Sequence, residues 1–135
     1  MHFCKPVAKT YEDRLALRSI IASGNKKFFL GSDSAPHVLG KKLPDVGHAC
    51  AAGVYTSPVL LPLLAHAFES VDPVIPLERL QGFVSTHGRE FYGVLGEGSV
   101  RLRRTGAVVQ KEYIMGEDKV IPFKAGQSLG WEIVQ

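Results

Sequence analysis

The sequence predicts an α/β protein. Three features carry that prediction: a helix punctuated at both ends, a short apolar run directly after it, and a change to β-type patterning in the last third of the chain. The helix is expected over Tyr11–Ser23, where Thr10 can cap, Asp13 completes a capping box three positions on, and Gly24 stops the turn. Leu15, Leu17, Ile20 and Ile21 are its main apolar residues, leaving Arg14 and Arg18 as an i,i+4 pair able to face water. The run Lys27-Phe28-Phe29-Leu30 lies between Asn25 and Gly31. It is too short for a helix and lacks alternation, which fits a strand of a parallel sheet covered on both faces.

From Gly31 to Gly53 the chain is loop-like, since Pro36, Gly40, Pro44 and Gly47 break any regular pattern. Loops of that length are uncommon unless functional. Ser57-Pro58 then opens a second helix running to about Ser70, with Pro62 in its first turns and Leu60, Leu61, Leu64 and Phe68 on one side. A third helix is expected from Pro76 to about Ser85 on the spacing of Leu77, Leu80, Phe83 and Val84, with a shorter turn over Gly88–Tyr92. Beyond Gly98 the β-type stretches are Val100–Arg104, Val108–Ile114 and Leu129–Val134, separated by turns at Thr105-Gly106, Gly116-Glu117-Asp118 and Ala125-Gly126. There is no internal repeat and no low-complexity tract.

Composition narrows the function classes. With 135 residues, 45% hydrophobic and 21% charged, the chain fits one globular unit with a modest core. Its longest apolar stretch, Val59–Leu64, is broken by Pro62 and falls far short of the roughly 20 residues of a membrane helix. Met1-His2-Phe3-Cys4-Lys5-Pro6 has no apolar segment of signal-peptide length, so a cytoplasmic location is the expectation. The net charge of +3 comes from scattered basic residues, apart from Lys41-Lys42 and Arg101-x-Arg103-Arg104, and no nucleic-acid-binding motif accompanies them. Neither nucleic acid nor a membrane is therefore an expected partner. Cys4 and Cys50 lack C-x-x-C spacing and a secretory context, and are expected as reduced thiols.

The chemistry concentrates in Phe28-Phe29-Leu30-Gly31-Ser32-Asp33-Ser34-Ala35-Pro36-His37, with a carboxylate just past the apolar run and an imidazole four residues later. In parallel α/β architectures sites are built at that end of a strand. On the residues alone two readings stand: a site carboxylate with a partner histidine, or an Asp that caps a turn beside an ordinary loop histidine. His2, His48, His66 and His87 offer no H-x-H or H-x3-H pair that would aim two imidazoles at one ion. His66 reads as helix surface or packing. His48 reads as a solvated loop residue or part of a lid.

The segment Phe29-Leu30-Gly31-Ser32-Asp33-Ser34-Ala35-Pro36-His37 resembles the strand-eight signature of dihydroorotases, amidohydrolases of the single-function bacterial and fungal type, in which Ser32 is often threonine. Cys4-Lys5-Pro6-Val7-Ala8-Lys9 upstream and Ala52-Gly53-Val54-Tyr55-Thr56-Ser57-Pro58 downstream are similar to the same family. Phe91-Tyr92-Gly93, Val120-Ile121-Pro122-Phe123-x-Ala125-Gly126 and Trp131 carry the likeness to essentially the whole chain. The resemblance implies the C-terminal part of a TIM-type (β/α)8 amidohydrolase barrel plus a C-terminal extension with short β segments. The last barrel units would fill residues 1–70 and the extension 71–135. Phe28–Leu30 would be strand eight, the Phe3-Cys4 region the end of strand seven, Tyr11–Ser23 the helix between them, and Ser57–Ser70 the helix after strand eight.

The same resemblance implies the site residues. Asp33 matches a zinc ligand that is also the acid or base moving the proton of a metal-bridging hydroxide. His37 matches the histidine that binds the free carboxylate of the substrate, and the backbone around Lys5, Ala52 and Gly53 matches main-chain substrate contacts. The family converts N-carbamoyl-L-aspartate and dihydroorotate in pyrimidine (UMP) biosynthesis with two zinc ions, as a homodimer. Its H-x-H pair, its carboxylated lysine and two further zinc-binding histidines have no match in this sequence. A chain with one carboxylate ligand is therefore expected to be inactive and free of tightly bound zinc when isolated, and a part of a closed barrel is expected to be sticky. The alternatives are a non-catalytic relative acting in assembly or binding, and an unrelated small α+β binding domain.

Overall fold

A computed structural model describes residues 2–6 and 9–134; Val7 and Ala8 of the upstream motif lie outside the described residues. Contacts divide the chain into two compact units, each assembled from three segments. The first comprises Met1–Ala8, Ser32–Leu60 and Gly106–Leu129, and the second Lys9–Gly31, Leu61–Thr105 and Gly130–Gln135.

In the first unit the chain is mostly irregular, with a helical turn α2 (Leu39–Lys42), a 3-10 turn over Ser57–Val59 and two short strands. Strands β2 (Tyr113–Met115) and β3 (Asp118–Val120) pair antiparallel, Met115 opposite Asp118. The two residues between them turn on Gly116, whose φ of +66° is the left-handed conformation that tight hairpins demand. Isolated bridges do the rest: Ser34 with Val54 and Tyr55 with Pro122 in parallel, Val38 with Val120 and Val108 with Ser128 antiparallel. Val59, Val120 and Leu129 are its buried apolar residues, and Lys42 is buried with them.

The second unit is helical. Helix α1 (Tyr11–Ala22) starts as its sequence dictates: the Thr10 side chain accepts from the Asp13 amide, and Asp13 returns a bond to the Thr10 amide. Gly24, at φ +73°, ends it. Helix α3 (Leu60–Ser70) continues from the 3-10 turn and buries Pro62, Ala65 and Phe68, three residues apart on one face. The Phe68 and Phe83 rings meet at 6.1 Å, and Ile75 is buried nearby in sequence, its amide on the Phe68 carbonyl. A two-stranded antiparallel sheet of β1 (Arg101–Arg104) and β4 (Trp131–Val134) completes the unit, Arg104 opposite Trp131.

Several expectations are corrected. The pairings of named strands are all antiparallel, and the parallel pairings found are single bridges, so the covered parallel sheet is not formed among the described residues. Phe28–Leu30 and the Phe3-Cys4 region are not strands. A strand exists through its ladder, and the Leu30 amide instead donates to the Phe83 carbonyl at 2.9 Å, while Phe28 is partly exposed. Within α1 no residue is fully buried and Leu17 is exposed. Instead of a helix over Pro76–Ser85 and a separate turn, one continuous helical run joins α4 (Glu78–Gln81), a π turn over Gly82–Thr86 and α5 (His87–Tyr92). Gly88 belongs in it because a Cβ there would lie 3.3 Å from the Phe29 ring. The stretch Val108–Ile114 contributes strand only from Tyr113, and β3 was not expected. Leucines 60, 61 and 64 are half-buried, while Pro62 and Ala65 take the interior of α3.

Candidate active site

The residues singled out for chemistry gather in the first unit around two strips of backbone, 32–37 and 52–57. Ser34 joins them. Its Oγ accepts from both the Thr56 and Ser57 amides at 3.0 Å, satisfying two donors at the start of the helical run that a local cap would otherwise take. The Ala35 amide donates to the Val54 carbonyl at 3.0 Å and Thr56 Oγ1 to the Ser32 carbonyl at 3.4 Å. Asp33, between these anchors, has φ +44° and is exposed. Aspartate tolerates this left-handed conformation better than most residues, and the flanking bonds on both sides hold it there.

His37 reaches across the strips, its Nε2 donating to the Ala52 carbonyl at 2.8 Å. That bond fixes the tautomer with the proton on Nε2 when the ring is neutral. Gly53 is buried at φ +143°, and a Cβ on it would lie 2.6 Å from Ala35 Cβ and 3.0 Å from His37 Nε2. Only glycine lets the strips approach this closely. The Gly53 amide donates to the Phe3 carbonyl at 3.0 Å. Lys5, two residues on, is exposed, its Nζ 5.9 Å from the Phe3 ring centre. His37, Ala52 and Gly53 are thus brought together, and Lys5 is tied to them through its neighbour Phe3.

A cavity of about 210 Å3 opens beside His37 and Gly53, walled by Tyr55, Pro122 and Phe123, with Lys124 and Gln127 among its polar residues. Two residues that order this region were not read from the sequence. Ser34 looked like part of a turn. Lys42 stands in the sequence only as one half of the Lys41-Lys42 pair, yet its Nζ donates to the carbonyls of Phe3, Ala51 and Gly53. No local pattern announces a buried lysine.

For a metal, Asp33 offers one carboxylate. Among the described residues no group of three or more His, Cys, Asp or Glu stands close enough to hold an ion, so these residues by themselves do not make a zinc site. None of the described helices is long and apolar enough to cross a membrane.

No family model matches the chain. Individual relatives do. A dihydroorotase of Mycosarcoma maydis is 38% identical over an alignment that takes in 100% of this chain and 46% of that protein. One of Alkalilimnicola ehrlichii is 40% identical over 98% of this chain and 37% of its own length. Among solved structures, dihydroorotase from Saccharomyces cerevisiae in complex with 5-fluoroorotic acid matches with a TM-score of 0.83 at 40% identity, covering 98% of this chain and 37% of that one. Dihydroorotase from Campylobacter jejuni matches with a TM-score of 0.81 at 35% identity, covering 99% and 37%. The chain spans less than half the length of the relatives it matches. In sequence and in backbone, over essentially its whole length, the chain is a counterpart of the C-terminal portion of dihydroorotases.

Proposed function

We propose that this chain is the C-terminal part of a zinc-dependent dihydroorotase, a cyclic-amide hydrolase that interconverts N-carbamoyl-L-aspartate and dihydroorotate for pyrimidine synthesis. It supplies a partial domain: the last barrel units over residues 1–70 and an extension over 71–135. The whole enzyme works in the cytoplasm as a homodimer on a small-molecule substrate, and engages neither nucleic acid nor membrane. The observation that carries this reading is the meeting of His37 with the Ala52-Gly53 backbone, one short strap away from Asp33.

In ring opening, water adds to the amide carbonyl of dihydroorotate, the ring C–N bond breaks, and the departing nitrogen takes a proton. Asp33 accepts the proton from the water and returns it to nitrogen, which needs a carboxylate free to approach the reacting atoms. His37 and the main chain of Lys5, Ala52 and Gly53 hold the substrate's carboxylate, which does not react. The 5-fluoroorotic acid bound by the yeast relative is likewise a ring bearing a carboxylate. Zinc, two ions in the family, would take Asp33 as one ligand and would need its other ligands from outside this chain, so the isolated chain is expected to be inactive.

Steady-state kinetics and zinc content of two variants of the full-length protein test the assignment. Asp33→Asn keeps the shape and loses the proton acceptor, and turnover falls by about 10²-fold or more. His37→Ala loses a charge-assisted contact, and kcat/KM falls roughly ten- to hundredfold with part of the loss in KM. Near-normal turnover in Asp33→Asn removes it from the chemistry. A full-length wild-type protein that binds the substrate without turning it over supports a non-catalytic relative instead.

A further inference from the structure

Lys42 is 6% exposed, and its ammonium donates to the carbonyls of Phe3 at 2.9 Å, Ala51 at 2.7 Å and Gly53 at 2.8 Å. An ammonium has three donors, so these bonds use its full capacity and leave none for a ligand. No ion pair found among the described residues involves it. Its charge is compensated by three oriented carbonyl dipoles. Those same oxygens would repel one another at this spacing without the cation between them.

The geometry has a directional effect. The Ala51–Ala52 peptide is trans, so a carbonyl turned toward Lys42 turns the Ala52 N–H the opposite way. The next carbonyl, that of Ala52, receives His37 Nε2, and the one after, that of Gly53, returns to Lys42. Three successive peptides are therefore set by two side chains. The Phe3 carbonyl, held by both Lys42 and the Gly53 amide, is locked to the same point.

We propose that Lys42 is a positioning residue for substrate recognition: it fixes the Ala52-Gly53 main chain and, through the Ala52 carbonyl, the His37 ring, without touching the substrate. This rests on the reading of His37, Ala52 and Gly53 as substrate contacts given above.

In the full-length protein, Lys42→Met keeps the aliphatic stem and removes the three donors. Because the contacts it orders hold a group that does not react, KM for dihydroorotate rises about tenfold while kcat changes much less. Combined with His37→Ala, the two losses in kcat/KM are less than additive, because both act through one piece of backbone. A lower melting temperature with KM unchanged overturns the proposal and leaves Lys42 a purely structural residue. If His37→Ala itself leaves KM unchanged, the substrate reading beneath the proposal fails instead. Should Lys42→Met not fold, the unmodified protein decides. Nitrogen-15 NMR follows hydrogen exchange of the Lys42 ammonium with and without 5-fluoroorotate. Exchange that slows on binding is the expected result, and exchange indifferent to the ligand overturns the proposal.

Discussion

Gly53 shows how closely the site is specified by single residues. Its φ of +143° is strained for any residue with a side chain, and an added Cβ would sit 2.6 Å from Ala35 Cβ. Gly53→Ala should therefore lower stability by about 1–3 kcal/mol, read as a fall in the denaturant midpoint, and should disturb the His37 ring against which the methyl would press. Asp33 and His37 stand out in the sequence through their motif. Ser34 and Lys42 do not, because their roles depend on backbone groups far along the chain, and a hydroxyl or ammonium gives no local sign of which distant carbonyl or amide it will meet.

At the level of elements, what the sequence specified well was local. The Thr10–Asp13 box and Gly24 set both ends of α1 through bonds within a few residues, and Thr10→Ala should cost about 1 kcal/mol in unfolding free energy. Phe28–Leu30 read as a strand because its residues suit one, yet pairing is a property of neighbours, and here a helix carbonyl takes the Leu30 amide. Gly88 read as the start of a separate turn beyond a helix ending near Ser85, but the helical run continues through it to Tyr92, a case of tertiary packing overriding propensity. The attachment of α3 to the β1–β4 sheet was also invisible in one dimension. The Glu69 carboxylate accepts from the Trp131 indole at 2.9 Å and from Arg104, whose guanidinium also stacks 4.6 Å from the indole centre. The indole N–H does most to hold the Glu69 carboxyl below the usual carboxylate range; burial opposes it, and Arg104 and His66 add to the lowering. A carboxyl lowered in the folded state contributes stability above its ordinary range and loses it as pH falls through the folded value. Melting curves of the wild type and Glu69→Gln should differ at neutral pH and converge on acidification.

For the molecule as a whole, both units leave large apolar side chains in solvent. Val46 does so in the first, and Phe91, Tyr92 and Leu95 in the second. A groove of about 500 Å3 in the second unit is floored by Leu17, Ile20 and Phe28, beside α1, which buries no residue completely. Apolar patches left open in this way drive association. The chain expressed alone should self-associate with rising concentration in light scattering, and co-expression with the N-terminal portion of a dihydroorotase relative should yield a defined, non-aggregating species. A chain that stays a monodisperse monomer as concentration rises would contradict this. The Glu69–Trp131–Arg104 contact also provides an optical handle. Trp131 is the only tryptophan in the sequence and it lies in the second unit, so red-edge-excited emission reports on that unit alone, and loosening of the carboxylate would register as a spectral shift before any global signal changes.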